Sequence, residues 1–397
     1  MLDEVVITGM GIISPIGCDE PTFWDALRTG RSGAAEVEGF DVSELPRRIA
    51  CQVRDPLKPA SGDPNMGRAS QLAIVASHQA LVSARVAADQ LAGQRVSVVI
   101  GTTMGETQFI EERLGSSDEQ WLSPDHVQRI AAGRPGCISR NVQQHLQVGG
   151  AAVDLYGACA AGNMALASAR RQLLTGQCDI ALAGGVDGFS PLAFIGFMRA
   201  RVLADGVCRP FDEKRDGLLV GEGAVMFTLE RASSAGKRGA TVRARITGDA
   251  VTCEDYHPTR PQPEGDGLMR ATLEALRDAG LSSTDIGYVC AHGTGTWQND
   301  AIEVLVMEKC FPRGVSFSSV KALTGHTMGA AGALEAACCV LSLEHQTMIP
   351  TWHLANVLEP CKLDAVKDAV RPAKLVHVLN NSAGFGGYNA SLVLSAA

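Results

Sequence analysis

Short apolar runs alternate along the chain with segments in which apolar residues recur at the helical period. This alternation is typical of an α/β protein whose strands are largely buried. In the first half of the chain the predicted strands are 4–13, 96–102, 152–156, 180–184 and 224–230. In the second half they are 242–252, 286–291, 316–319, 376–379 and 390–394.

A polar, turn-rich stretch at 233–239 separates the two series of strands. It predicts a boundary between an N-terminal half, residues 1–235, and a C-terminal half, residues 236–397. Because the order of elements is similar in the two halves, we expect an internal duplication.

Two strand-to-helix junctions show the repeat most clearly. The first reads Gly157-Ala158-Cys159-Ala160-Ala161-Gly162 after an apolar strand, and the second runs from Lys321 through His326 to Glu335. Small residues at the start of a helix allow that helix to pack deep inside the protein. At such a helix start the backbone N–H groups and the helix dipole favour the thiolate form of Cys159.

Two histidines and two hydroxyls stand beside these junctions. His292, Thr294 and Thr296 follow the strand that ends at Ala291, and His326 lies in the second junction. The carboxyl ends of parallel strands form the ligand-binding edge of such sheets. A cysteine at a helix start together with two histidines and a lysine fits nucleophilic catalysis better than core packing.

Composition narrows the function classes further. Hydrophobic residues make up 46% of the 397 residues, which is enough for a large core, and the net charge is −8. An acidic chain is a poor nucleic-acid binder, and no apolar run reaches the roughly 18 residues of a membrane span. The twelve cysteines include no C-x-x-C pair, so no metal site is predicted, and the start lacks a secretion signal. We therefore expect a cytoplasmic protein.

In combination, the motifs resemble those of the elongating β-ketoacyl-(acyl carrier protein) synthases, the condensing enzymes of fatty-acid and polyketide assembly. The resemblance extends over essentially the whole chain. It rests on the Cys159 junction, Arg209-Pro210-Phe211-Asp212, Gly221-Glu222-Gly223-Ala224, the His292 segment, the Lys321 to Glu335 segment and Gly384-Phe385-Gly386-Gly387. It implies the thiolase fold, a duplicated α-β-α-β-α five-layer sandwich, and a dimer.

The resemblance also implies a role for each site residue. Cys159 would hold the acyl chain, and His292 and His326 would stabilise the enolate formed when malonyl thioester loses carbon dioxide. Lys321 and Glu335 would orient the histidines. The remaining assignments are the backbone N–H groups of Cys159 and Phe385 as oxyanion donors, Phe385, Phe197, Ala383 and Tyr388 as the gate region, and Thr294 and Thr296 as pantetheine-binding residues.

Partners and cofactors follow from the same resemblance. An acidic acyl carrier protein, acyl- or malonyl-loaded, would dock on basic residues at the pantetheine entrance, for which Arg201 and Arg68 are the candidates. The phosphopantetheine arm arrives with the carrier, so no resident cofactor is implied. The partner subunit would be an identical chain or a chain-length-factor subunit.

Departures from the family pattern bear on the substrate. Trp297-Gln298-Asn299 replaces the usual Pro and Gly positions, Ala383 stands where fatty-acid enzymes usually have Phe, Tyr388 stands where they usually have Thr, and 131–138 also differs. These changes favour a specialised pathway that makes a polyketide, a polyene or an unusual fatty acyl chain. The alternatives are a housekeeping fatty-acid synthase, the catalytic member of a heterodimer, a non-catalytic subunit and a Cys–His hydrolase.

Overall fold

The computed structural model describes residues 3–55, 66–112 and 124–397. The strands are β1 (Val5–Ile13), β2 (Ala34–Glu36), β3 (Ile49–Cys51), β4 (Val96–Thr102), β5 (Ala152–Tyr156), β6 (Ile180–Asp187), β7 (Gly223–Arg231), β8 (Ala244–Cys253), β9 (Ile286–Cys290), β10 (Ser316–Ser318), β11 (Thr347–Met348), β12 (Asp364–Ala365), β13 (Arg371–Pro372), β14 (His377–Ala383) and β15 (Tyr388–Ala396).

The α-helices are α1 (Glu20–Thr29), α2 (Arg68–Ser83), α3 (Ala88–Leu91), α4 (Gln108–Glu111), α5 (Pro124–Ala132), α6 (Cys137–Leu146), α7 (Ala161–Leu174), α8 (Pro191–Arg199), α9 (Ala232–Lys237), α10 (Asp266–Asp278), α11 (Trp297–Cys310), α12 (Lys321–Thr324) and α13 (Ala331–His345). Short 3₁₀ turns cover Ala158–Ala160, Ser283–Asp285, Met328–Ala330 and Phe385–Gly387. The predicted strands are all present, with ends shifted by a few residues.

The sheet confirms the internal duplication. In the first half the strand order is β5-β4-β6-β7-β1, and in the second half it is β10-β9-β14-β15-β8, with the two-residue strand β12 added beside β10. Pairing is also the same: three neighbouring strands run parallel, and the last two pairs are antiparallel. The halves join where Val5–Ile7 of β1 pairs with Ala244–Ile246 of β8.

The layers follow from which faces the helices cover. Helices α7 and α13 pack on each other and contact strands of both halves, so they form a central layer between the two parts of the sheet. Helices α2 and α6 cover the outer face of the first half, and α10 and α11 cover that of the second. Strands β1 and β6 are buried along their whole length, as expected for strands covered on both faces. The predicted five layers are confirmed.

The stretch predicted as a polar break has a different local structure. Residues Ala232–Lys237 form helix α9, with Ala235 buried against the sheet. This one buried alanine, among serines and charged residues, anchors a helix of about one and a half turns. The turn-forming residues of the segment do not by themselves indicate a helix. The domain boundary at 235 itself stays a prediction. No helix among residues 3–55, 66–112 and 124–397 is long and apolar enough to cross a membrane.

Candidate active site

Cys159 sits in a tight 3₁₀ turn between β5 and α7. The turn begins at Ala158, whose φ of 48° lies in the left-handed region that non-glycine residues rarely adopt. The thiol is only 6% exposed. Such strain is found where the surrounding structure fixes a functional side chain.

The second junction repeats this local geometry. A 3₁₀ turn, Met328–Ala330, precedes α13, and its first residue, Met328, has a φ of 56°. At Gly162 of α7 a Cβ atom would lie 2.7 Å from the backbone N of Ala333, so glycine allows α7 and α13 to approach closely. The nucleophile and the second junction are therefore held together by direct backbone packing.

The structure brings both predicted histidines to the thiol. The Nε2 atom of His326 lies 3.0 Å from the Sγ atom of Cys159. The rings of His292 and His326 meet edge to face, with centroids 5.3 Å apart. Both imidazoles are buried. The three groups therefore form one compact constellation.

Lys321 fixes the orientation of His292. Its Nζ atom donates to the carbonyl oxygen of His292 at 2.5 Å and lies 3.2 Å from Nδ1 of the same residue. Nζ also pairs with the Glu335 carboxylate, whose second oxygen accepts a hydrogen bond from Ser382 Oγ at 3.3 Å. Because a lysine ammonium can only donate, Nδ1 of His292 must accept, and Nε2 then carries the proton. His292 is thus a hydrogen-bond donor toward the cavity.

Burial dominates the electrostatics of the site. It raises the pKa of Cys159 to about 12, although Lys321 and the Phe385 backbone N–H each lower it. Burial and the nearby Lys321 hold the pKa values of both histidines well below the usual range. The expectation of a resting thiolate is therefore not supported, because desolvation outweighs the helix start. The resting site holds a neutral thiol beside neutral imidazoles.

Two acidic side chains that the sequence motifs do not assign to the site shape the His292 loop. Glu303 accepts the backbone N–H groups of His292 and Gly293 at 2.6 and 2.8 Å. Asp300 accepts those of Thr294 and Gly295 at 3.1 Å each. In the sequence, their role is indicated only by the spacing: two acidic residues three positions apart follow a Gly-Thr-Gly-Thr loop. Carboxylates at these positions of α11 can accept hydrogen bonds from the backbone N–H groups of that loop.

The glycine loop lies directly over the nucleophile. The backbone N–H of Phe385 donates to the Cys159 sulfur, and a Cβ atom at Gly384 would lie 3.0 Å from the Cys159 nitrogen. The rings of Phe385 and Phe197 are 5.8 Å apart. The glycine loop therefore lies in contact with both the sulfur and the backbone nitrogen of Cys159.

A cavity of about 480 Å³ leads from solvent to this point. Its described lining includes Cys159, both histidines, Thr294, Thr296, Phe197, Ala383, Phe385, Trp297, Arg201 and Arg260. Tyr388 is not part of that lining; it is the first residue of β15, and its ring lies close to Gly386 of the preceding 3₁₀ turn. Of the divergent segment 131–138, Cys137 and Ile138 are buried at the start of α6.

The two candidate docking arginines have different surroundings. Arg201 is exposed at the cavity mouth. Arg68 instead forms a two-point ion pair with the buried Glu222, at 3.0 and 3.1 Å, and donates to the Val53 carbonyl. Arg68 does not line the cavity, but its side chain is still 35% exposed, and its docking role stays a prediction. Within the described ranges no group of three or more His, Cys, Asp or Glu side chains could hold a metal ion.

Comparison with known proteins agrees with this geometry. Residues 2–235 match the N-terminal domain model of β-ketoacyl synthases, and residues 243–355 match the C-terminal domain model. The chain belongs to the β-ketoacyl synthase family. Members of this family are condensing acyltransferases, and the predicted enzyme class is confirmed.

Individual relatives of this β-ketoacyl synthase cover its full length. It is 35% identical to 3-oxoacyl-[acyl-carrier-protein] synthase 2 of Coxiella burnetii, over 99% of this chain and 98% of the relative. The solved ishigamide ketosynthase/chain length factor is 35% identical, with a TM-score of 0.95 and full coverage of both chains. The ketosynthase AntDE of a type II polyketide synthase, solved with its acyl-carrier protein AntF, is 26% identical with a TM-score of 0.91, again over both full chains. The thiolase fold is thereby confirmed.

Proposed function

We propose that this β-ketoacyl synthase joins an acyl chain held on Cys159 to a malonyl unit, with loss of carbon dioxide, to give a β-ketoacyl thioester on a carrier protein. The observation that carries the proposal is the contact of 3.0 Å between Cys159 Sγ and His326 Nε2 beside a second imidazole held by Lys321. The thiol is the nucleophile, and the two imidazoles stabilise the malonyl thioester as it loses carbon dioxide.

The first half-reaction loads the acyl chain. The Cys159 sulfur attacks the acyl thioester carbon while its proton passes to His326 Nε2, and the carrier thiolate leaves with that proton. Because the pKa of Cys159 is about 12, proton transfer accompanies attack rather than preceding it. The Nδ1 atom of His326 has no hydrogen-bond partner among the described residues. Neither tautomer is therefore fixed, and the same ring can accept a proton in one step and donate in the next.

The second half-reaction forms the carbon–carbon bond. As carbon dioxide departs, negative charge develops on the thioester oxygen of the malonyl unit, where the Nε2–H groups of His292 and His326 donate. The enolate carbon then attacks the acyl carbonyl on Cys159. The backbone N–H groups of Cys159 and Phe385 stabilise the tetrahedral oxyanion, and each such donor contributes about 3–4 kcal/mol. Collapse releases the product and expels Cys159 as a thiolate, which takes up one proton from solvent to restore the thiol.

The carrier and the pathway are further parts of the proposal. We take the acyl and malonyl groups to arrive on acyl carrier protein, so the enzyme needs no resident cofactor. We place the protein in the cytoplasm, since all twelve cysteines are free thiols. A specialised polyketide or polyene pathway is favoured by the likeness to the ishigamide ketosynthase/chain length factor and by the small side chain of Ala383 in the cavity lining. The chain is equally identical, at 35%, to the Coxiella burnetii synthase, which supports housekeeping fatty-acid elongation as the alternative.

The assembly has two candidate forms. Strand β5 has a strand neighbour on only one side within the described chain, and its Tyr156 is 44% exposed, so β5 is free to pair with a second subunit. That subunit is an identical chain or a chain-length-factor partner. Because this chain keeps Cys159, it is the catalytic member in either case. Co-purification with genomic neighbours and measurement of the native mass distinguish the two.

Intact-protein mass spectrometry tests the reaction and the pathway together. The enzyme is offered saturated, polyenoyl and aryl-acyl carrier proteins, followed by malonyl carrier protein. We expect acylation at Cys159 and extension by two carbons, with unsaturated or aryl chains preferred. Better turnover of saturated chains would place the enzyme in housekeeping elongation.

A Cys159→Gln variant separates the two half-reactions. It cannot be acylated but keeps both histidines, so we expect it to release carbon dioxide from malonyl carrier protein without forming a condensation product. A folded variant that releases no carbon dioxide would refute the role given to the histidines. Release of free acid by the native enzyme, without condensation, would instead identify a hydrolase.

A further inference from the structure

Trp297 is a large aromatic residue left open at the mouth of the active-site cavity. Its side chain is 60% exposed although it lines the same cavity as Cys159. It stands where the resemblance leads one to expect proline. An exposed indole on a pathway to a nucleophile is a ready-made contact for an apolar part of a ligand.

The ring is held in place from behind. Arg215 is 5% exposed, and its guanidinium carbon lies 4.8 Å from the centroid of the Trp297 ring. The same guanidinium donates to the carbonyl oxygens of Thr296 and Trp297 at 3.2 and 2.9 Å. Trp297 is also the first residue of α11, so its backbone is fixed by the helix. Little conformational freedom is lost when a ligand packs on such a ring.

Exposure along the chain shows which part of a ligand would reach the ring. Thr294 is 5% exposed and its hydroxyl lies 2.8 Å from that of Thr296, which is half-buried, whereas Trp297 is largely open. These three residues thus line the cavity in order from its buried end toward solvent. A thioester that reacts at Cys159 has its amide-bearing segment nearest the sulfur, its dimethyl-branched pantoyl segment next and its phosphodiester outermost.

Charge at the mouth agrees with that order. Arg201 and Arg260 both line the cavity and are exposed, and neither guanidinium makes a hydrogen bond or ion pair with any described residue. By contrast, the acidic side chains in the lining are engaged: Asp216 accepts the Asp205 N–H, and Glu254 accepts from Asn389. Unpaired cations beyond an aromatic face suit an anionic group attached to an apolar one.

We infer that Trp297 is a binding residue for the branched pantoyl segment of the phosphopantetheine arm. This inference rests on the proposed function, because it requires a pantetheine thioester as substrate. In this contact the dimethyl-bearing carbon packs on the face of the indole ring that Arg215 does not cover. The contact would stabilise every carrier-bound substrate equally, whatever its acyl group.

Steady-state kinetics on three malonyl thioesters test the inference. Malonyl carrier protein and malonyl-pantetheine both carry the pantoyl segment, whereas malonyl-N-acetylcysteamine lacks it. For Trp297→Ala we expect KM to rise about tenfold, equivalent to about 1.4 kcal/mol, for the first two, with kcat unchanged. For the third, both constants should stay within twofold of the native values. Trp297→Phe, which keeps an aromatic face, should recover most of the loss.

Other patterns of loss would overturn the inference. An equal loss on all three thioesters would show that the ring only supports the Thr296 loop. A loss confined to malonyl carrier protein would show that the ring contacts the carrier instead of the arm, and no change would show no contact. Failure of the proposed function differs from all of these, because the native enzyme would then form no β-ketoacyl product from any thioester. Normal acylation of Cys159 by an acyl-N-acetylcysteamine shows that each variant is folded.

Discussion

Replacing Lys321 by methionine tests whether the buried ion pair behind His292 supports the fold as well as the site. Lys321 and Glu335 are each only 1% exposed, so their charges are screened by almost no water. Removing one member of such a pair leaves the other without its partner, which costs about 3–5 kcal/mol. For Lys321→Met the remaining hydrogen-bond donor to the Glu335 carboxylate is Ser382, at 3.3 Å. We therefore expect a loss of this size in the free energy of unfolding.

A double-mutant cycle makes the expectation quantitative. Lys321→Met, Glu335→Gln and the double variant are unfolded in urea at pH 8.5, where the Glu335 carboxyl, whose pKa burial raises to about 8, is mostly ionised. Each single variant should lose about 3–5 kcal/mol and the double variant no more than either, a coupling of about 3 kcal/mol. Additive losses would refute the reasoning. Lys309→Met is the matched control, because Lys309 pairs with Glu264 at 3.3 Å on the exposed surface and should lose less than about 1 kcal/mol.

The pKa shifts and the arginines lead to four further predictions. Burial raises the pKa of Cys159 to about 12, so its alkylation by iodoacetamide should rise about tenfold per pH unit from pH 7 to 10, and a plateau near pH 8 would contradict this. Arg201→Glu should raise KM for acyl carrier protein without changing Cys159 alkylation, whereas Arg68→Ala should lower the free energy of unfolding by about 2 kcal/mol because buried Glu222 loses its partner; weaker carrier binding by a fully stable Arg68→Ala would reverse the assignment. Burial raises the pKa of Glu106 from 4.5 to about 7, so its protonated form stabilises the fold below pH 4.5 and this contribution is lost as the pH rises through 7. Melting curves should show the native protein losing stability relative to Glu106→Gln between pH 5 and 8, and a difference that does not vary with pH would contradict this.

Local sequence patterns were sufficient to predict the strands and the two strand-to-helix junctions. The apolar run at 4–13 and the small residues around Cys159 form structure with their neighbours in the sequence, and for this reason the predicted and observed elements agree. The approach of Cys159 and His326 could be anticipated only through the family resemblance, since 167 residues separate them. What joins them is the packing of two helix starts, which no local window contains.

Burial and tertiary partners are the features that the sequence did not show. The helix start at Cys159 indicated a thiolate, but desolvation of the sulfur has a larger and opposite effect. The sequence around Arg68 gives no sign of an ion pair, whereas the fold places Glu222 beside the guanidinium. The gate role of Tyr388 stays a prediction; its ring lies close to Gly386, next to Phe385. Glu222 is 154 residues away from Arg68 in the sequence, so no local pattern could indicate their ion pair.

The close packing of α7 on α13 has a consequence for how the enzyme responds to heat. Backbone atoms of Gly162 and Ala333 approach closely, and the short segments that carry Cys159 and His326 lead directly into these two helices. We therefore expect that the site does not become disordered at temperatures at which the rest of the protein is still folded. Thermal inactivation and global unfolding are therefore expected to share one midpoint, so that residual activity after heating reports directly on the fraction of molecules still folded.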